Sequence, residues 1–253
     1  MMGFRKLIAS IALLGVVPAS GSLAAELRHD KQVGYEIALA GINVGDLALD
    51  MRRNGDAYDV RAEGSYRVLF WSGTLSGMVV GKVAPAGVRP SRYEVSTQND
   101  TPSTTVIEFE TSLGPTSWQR IPEAPAEWTE GRIALQRDHL RPALDPVSAI
   151  VASALELSGG SAPEVCDRAV RIFTGFSVFE LEFDGVRESE DSRVFCTVTY
   201  RALSGHRANS RGVERLSQPG EIEIAFDRLP GGYWFPGRIA LPTGIGTLTI
   251  DRI

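Results

Sequence analysis

The groups in this chain that could carry chemistry are three histidines, two cysteines and a scatter of carboxylates. His29, His139 and His206 lie far apart, none two or four positions from another, so they lack the paired-imidazole spacing of a zinc site. No H-E-x-x-H, G-x-S-x-G or Walker glycine loop occurs. Gly159-Gly160-Ser161 sets a serine behind two glycines, but there the glycines close a helix, the reverse of the strand-turn-helix order that exposes a nucleophile. Glu180/Glu182 and Glu221/Glu223 have strand spacing on a polar face and read as solvated edges. Asp145 and Ser148 could form a polar pair at a pocket mouth; helix capping explains their spacing completely and is the preferred reading. None of these patterns yields a catalytic residue, a metal ligand or a cofactor site.

Cys166 and Cys196 are an even pair without a CxxC or a nearby histidine pair, so they read as a structural disulfide. That reading requires an oxidising compartment, and the N-terminus points to one. Arg5 and Lys6 precede an apolar run over residues 7–17, and small residues follow to Ala25. This is the pattern of a secretory signal cleaved after Ala24 or Ala25, and the run is short of the ~20 apolar residues that span a bilayer. No cysteine near the cleavage site suggests lipid attachment. Residues 1–25 are therefore read as a signal peptide, and residues 26–253 as a single β-rich periplasmic domain with no transmembrane segment. Cleavage removes two of the 26 basic side chains and leaves 24 against 31 acidic ones. A chain of that sign has no general electrostatic reason to bind nucleic acid or anionic lipid headgroups.

The elements that must position these residues are mostly strands. Tyr35, Ile37 and Leu39 alternate with smaller or polar residues, Gly41-Ile42-Asn43 turns the chain, and Asn54-Gly55-Asp56 is a strong hairpin signal. Residues 68–83 read as one long strand bent at Gly73, Gly77 and Gly81. Further strands are expected near residues 89–97, 105–110, 116–121, 170–173, 178–183, 194–200, 221–226, 234–241 and 246–250. Residues 122–130 read as a surface loop, residues 162–164 as a return to β pattern, and residues 204–218 as a mobile basic loop. About a dozen antiparallel strands cannot stay open and flat, so the fold class expected is mainly β, a curved antiparallel sheet forming a barrel, half-barrel or spiral.

One helix interrupts this pattern. Asp145 supplies an N-cap, Pro146 suits the first helical position, and Gly159-Gly160 would end the helix. Val147, Ile150, Val151, Ala154 and Leu155 fall on one stripe, which places the helix on or in the concave face of the sheet.

Several of these pieces together resemble a known family. Tyr35 with Gly41-Ile42-Asn43-Val44-Gly45, Asp145-Pro146-Val147-Ser148-Ala149, Cys166 with the Thr174-Gly175 turn, and Trp234-Phe235-Pro236 are similar to the exported bacterial family named domain of unknown function three-one-zero-eight. The resemblance covers residues 33–253, and its most specific marker is the Asp-Pro-x-Ser helix entry. Thr174-Gly175 departs from the Asp-Gly expected there. The family carries no established catalytic residues. The resemblance implies a periplasmic protein of Gram-negative bacteria, similar in shape to the curved sheets with helical lids of periplasmic lipoprotein carriers.

The expected function is non-enzymatic: the curled sheet and helix enclose an apolar groove for a lipid, acyl chain or hydrophobic peptide segment. Phe70, Trp71, Val147, Ile150, Val151, Ala154 and Trp234 are its expected lining, with Tyr66, Trp118, Tyr233 and Phe235 as further aromatic candidates. The alternative is an envelope structural or interaction module that binds a protein partner through strand edges or the basic loop at 204–218. A hydrolase acting on envelope components would require His139, Asp145 and a third polar group to meet in one cleft.

Overall fold

The computed structural model describes residues 31–253 apart from 69, 86, 111–113, 157–160, 190–192 and 230–231. The leader, His29 and the glycines expected to end the helix lie outside the described residues. The first seven strands are β1 (Lys31–Leu39), β2 (Ile42–Asn54), β3 (Ala57–Val68), β4 (Trp71–Ala84), β5 (Gly87–Gln98), β6 (Ser103–Glu108) and β7 (Ser117–Ile121). The last six are β8 (Arg168–Phe173), β9 (Val178–Glu188), β10 (Val194–Ser204), β11 (Ile222–Leu229), β12 (Tyr233–Thr243) and β13 (Gly246–Arg252). They form one antiparallel sheet in the order β7-β6-β5-β4-β3-β2-β1-β13-β12-β11-β10-β9-β8. Sequence neighbours pair except β7 and β8, which are the two edges, and the one long-range pairing joins β1 to β13.

The sheet is curved but not closed by hydrogen bonds. Its edge strands, β7 and β8, meet through side chains: Trp118 stands edge-on to Phe173 with ring centroids 5.1 Å apart. Residues 132–144 also secure this seam. Ile133 exchanges backbone hydrogen bonds with Gly205 and His206, and Leu144 does so with Arg171 and Phe173 of β8. The edge of β8 is thus bonded by Leu144 without β7 and β8 pairing to each other, one of the ways a sheet edge is protected. Five register shifts interrupt the strand pairings, and such bulges increase local twist and bending.

The long glycine-bearing strand expected at 68–83 is β4, which begins at Trp71 after the turn from β3, and its glycines make room for side chains. Gly73 faces Tyr66 and Gly81 faces Tyr58 across β3–β4. A Cβ at those positions would stand 2.7 and 2.6 Å from the two tyrosine hydroxyls. The glycines therefore make room for rings laid across the neighbouring strand, and only Gly81 coincides with a bulge.

Four helices accompany the sheet among the described residues: α1 (Ala126–Thr129), α2 (Pro146–Glu156), α3 (Ala162–Cys166) and α4 (Arg211–Leu216). Only α2 was expected from the sequence. The supposed loop at 122–130 holds the single turn α1. Residues 162–164 begin α3 instead of a strand, because Ser161 donates its backbone N–H to Glu164 Oε2 (2.6 Å), half of a capping box. The supposed mobile loop at 204–218 holds α4, whose Val213 N–H is accepted by Ser210 Oγ. Its Leu216 packs on the second hydrophobic cluster described below.

Side chains on the two faces of the sheet form two clusters. The larger one surrounds α2 and joins Val33, Tyr35, Leu49, Tyr58, Val60, Val79, Tyr93 and Ile107 to Phe173, Val178 and Phe235. Helix α2 packs against β4 and β5 on one side and β8 and β12 on the other. The smaller cluster gathers Phe183, Val198, Ile224, Phe226 and Trp234 around the disulfide between Cys166 of α3 and Cys196 of β10. Adjacent strand residues point to opposite faces, so Trp234 and Phe235 fall into different clusters. The disulfide closes a loop of about 31 residues and should contribute roughly 3–4 kcal/mol. Cys166→Ala/Cys196→Ala should lose stability of that order in urea unfolding; an unchanged midpoint would show that α3 is held by packing alone.

Candidate functional site

Helix α2 enters the sheet through a buried carboxylate. Asp145 is fully buried, with Oδ1 accepting the backbone N–H of Val147 (3.0 Å) and Ser148 (2.8 Å). The Ser148 hydroxyl donates to Asp145 Oδ2, which leaves the Tyr58 hydroxyl to donate to Ser148 Oγ (2.9 Å). The expected cap is therefore present, and it forms the inner end of a chain from β3 through Ser148 to Asp145. No arginine, lysine or histidine among the described residues pairs with Asp145. Burial pushes its carboxyl up to about 6, opposed by the Ser148 hydroxyl and the first-turn N–H groups. Tyr93, also buried, is pushed up by desolvation and by the Asp145 charge.

The body of α2 is enclosed further than one apolar stripe requires. Ala149, Val151, Ala152, Ser153 and Ala154 are all buried, whereas Val147 and Ile150 are half-buried. Small residues on the remaining faces let the sheet approach closely. Ser153 Oγ donates to the Ala149 carbonyl and accepts from Arg168 Nη2 (2.8 Å) at the start of β8, tying the helix to the sheet edge.

Beside α2 lies a cavity of about 50 Å³ lined by Val151, Ala154, Tyr58, Val60, Met51, Tyr233 and Phe235, with Lys31, Arg52 and Arg53 at its rim. It opens where β1 and β12 begin and β2 ends. Val151 and Ala154 line it as expected, whereas Val147 and Ile150 pack against the larger cluster. Three expected lining residues are elsewhere. Phe70 (95% exposed) lies in the β3–β4 turn and Trp71 (62% exposed) is the first residue of β4, so both stand at the exposed start of the expected strand and not over the cavity. Trp234 is buried in the smaller cluster, and strand alternation presents Phe235 to α2 in its place. Of the other aromatics, Tyr233 and Phe235 line the cavity. Tyr66 faces Gly73 on the β3–β4 pair, and Trp118 packs at the seam.

Most of the candidate carboxylates are ion-paired, whereas His139 Nδ1 and Ser204 Oγ are buried without a hydrogen-bond partner among the described residues. Glu180, Glu182 and Glu223 pair with Arg171, Arg201 and Arg187 at 2.9, 2.7 and 3.0 Å; the Glu182 and Glu223 pairs are solvent-exposed, as expected of a polar edge, and only Glu180 is largely enclosed. Asp227 lies over Gly237 and accepts from Arg193 (2.6 Å) and Arg252 (2.6 Å). His206 is buried with Nε2 3.2 Å from both the Tyr200 hydroxyl and the Val178 carbonyl, and burial lowers its pKa. No hydrogen bond among the described residues joins His139 to Asp145 or Ser148. Nor does any group of three or more His, Cys, Asp or Glu among them have metal-binding geometry. No described helix is long and apolar enough to cross a membrane. The disulfide is present as expected.

Compared with known proteins, the chain matches no family model, no curated protein and no solved structure. The site therefore has to be interpreted from its own geometry. Sequence reasoning missed Tyr58, Val60 and Met51, which reach α2 only through the β1–β2–β3 register; their alternation with polar neighbours was the available signal.

The Asp145 environment has a pH signature. Its folded pKa lies above its ordinary value of 3.8, so between about pH 4 and 6 the folded state holds a proton that the unfolded chain has released. Raising the pH through that window costs stability, on the order of 3 kcal/mol in all. Asp145→Asn keeps a capping oxygen and removes the titration. The unfolding free energy of the native protein relative to Asp145→Asn should therefore fall between pH 4 and 7; a flat or rising difference would contradict the buried, cation-free carboxylate.

Proposed function

We propose that the protein is a non-enzymatic binding protein of the bacterial envelope that holds the apolar end of a lipid or other aliphatic ligand in the cavity between α2 and β2, β3 and β12. The observation that carries this reading is the unfilled apolar space beside Val151 and Ala154, open at one end of the sheet. The leader-like N-terminus, the disulfide and the family resemblance support a periplasmic location.

The size of the space limits what enters. At about 50 Å³ it is several times what one water needs, about 10–15 Å³, and a third of the ~150 Å³ that accepts benzene. It suits a few carbons of a chain end, with the rest of the ligand outside the mouth. The groove is narrower than expected because small residues let the sheet close on α2 from both sides. Its apolar walls make water a poor occupant, since a bound water needs two to four polar partners.

Binding by chain end has a characteristic length dependence. Each CH₂ taken from water contributes about 0.8 kcal/mol, roughly a fourfold gain in affinity. Titration with n-alcohols should show that gain over the first few carbons and then a plateau when the cavity is full. Ala154→Phe should remove the rise by filling the space. Affinities independent of chain length, or identical in Ala154→Phe, would contradict binding at this site.

A further inference from the structure

We propose that the ligand carries an anionic head, a carboxylate or phosphate, directly beside its apolar end, and that Lys31 and Arg53 receive it. This rests on the cavity being the binding site and adds the class of amphiphile that it selects.

Strand register places the two cations. Lys31 pairs with Met51, Met51 with Val60, and Arg53 with Tyr58, and directly paired residues share a face of the sheet. Met51, Val60 and Tyr58 line the cavity, so Lys31 and Arg53 stand on the cavity side at the ends of their strands, where the space opens. Arg52, the third basic residue at the rim, alternates to the other face of β2 and is already paired with Asp50 at 2.9 Å.

Among the described residues Lys31 and Arg53, like the half-buried Arg120 and Arg132 that bond backbone carbonyls, lack the carboxylate partner that several other half-buried arginines have. Arg171, Arg193 and Arg252 each have a carboxylate within 2.9 Å. Lys31 Nζ lies 4.3 Å from the centroid of Tyr233, itself a cavity-lining ring. Arg53 Nε donates to the Gly55 carbonyl (2.9 Å), which holds the guanidinium at the rim. Burial lowers the Lys31 pKa, so this ammonium is partly stripped of water without an anion in return. Two cations at the mouth of an apolar space focus a positive potential there, although the whole chain carries −5. An aliphatic group entering the cavity leaves its first polar atoms between them.

Octanol, octanoate and octyltrimethylammonium share one chain and differ in head charge. Calorimetric titration at neutral pH should show octanoate binding the native protein at least tenfold more tightly than octanol, and octyltrimethylammonium more weakly than either. The octanoate-to-octanol ratio should fall below threefold in Lys31→Gln/Arg53→Gln, and in Lys31→Gln and Arg53→Gln singly if the double variant does not fold. In Lys31→Arg it should be retained. Equal affinities for octanol and octanoate would overturn the head-group assignment while leaving chain binding intact. A preference that survives both single variants, or one that persists in Ala154→Phe, would also overturn it. If none of the three binds, the cavity is not a ligand site and both proposals fall. Variants that lose thermal stability with the preference unchanged would assign the two cations to the stability of the fold and overturn the head-group assignment.

Discussion

A carboxylate taken fully out of water with no cation beside it has to be satisfied by hydrogen bonds alone, and the position of α2 depends on how Asp145 meets that requirement. Two backbone N–H groups of the first helical turn and the Ser148 hydroxyl converge on its oxygens. The same hydroxyl accepts from Tyr58 on β3. Capping is a local interaction, worth about 1 kcal/mol at an exposed helix end. Here burial makes it long-range, because removing one member leaves another without a partner in a low-dielectric interior. The chain fixes the depth and direction at which α2 enters the sheet. From that follow the contacts of Val151 and Ala154 with Tyr58, Val60 and Phe235.

The sheet in turn requires such a helix. Thirteen strands pairing almost entirely with their sequence neighbours curl until their edges meet, and the concave side presents more apolar surface than its own side chains can cover. Helix α2 fills most of that space, leaving the small cavity at one end. On the opposite face of the last strands, α3 and α4 cover a second cluster, with the disulfide attaching α3 to β10. The two faces are coupled at the start of β8, where Arg168 bonds Ser153 of α2 and stacks over Phe183 of the smaller cluster.

Local chemistry was readable in the sequence to the extent that it acts locally. Asp145-Pro146 marks the start of α2, the Thr174-Gly175 turn has Gly175 at a φ of 84°, and the paired cysteines join. The Ser161-to-Glu164 spacing that begins α3 was also readable, but a β pattern was assigned across it. Helix α4 lacks an apolar stripe beyond Val213 and Leu216, so its polar sequence looked like a loop. What one sequence does not reveal is register. Whether Trp234 or Phe235 faces α2 depends on parity along β12, and the cavity role of Tyr58 depends on pairing across β2 and β3. Phe70 and Trp71 illustrate the same limit: bulky apolar residues suggest a core, but placing the β3–β4 turn between residues 68 and 71 turns them outward.

Native-state amide exchange tests the enclosed position of α2 most directly, because protection reports the opening that exposes each N–H. If the sheet and the Asp145 chain enclose the helix, the amides of residues 149–154 should exchange as slowly as those of β3 and β5, with the free energy of global unfolding. Exchange of those amides orders of magnitude faster, with the strands still protected, would show that α2 leaves the sheet while the sheet stays folded, contradicting the account.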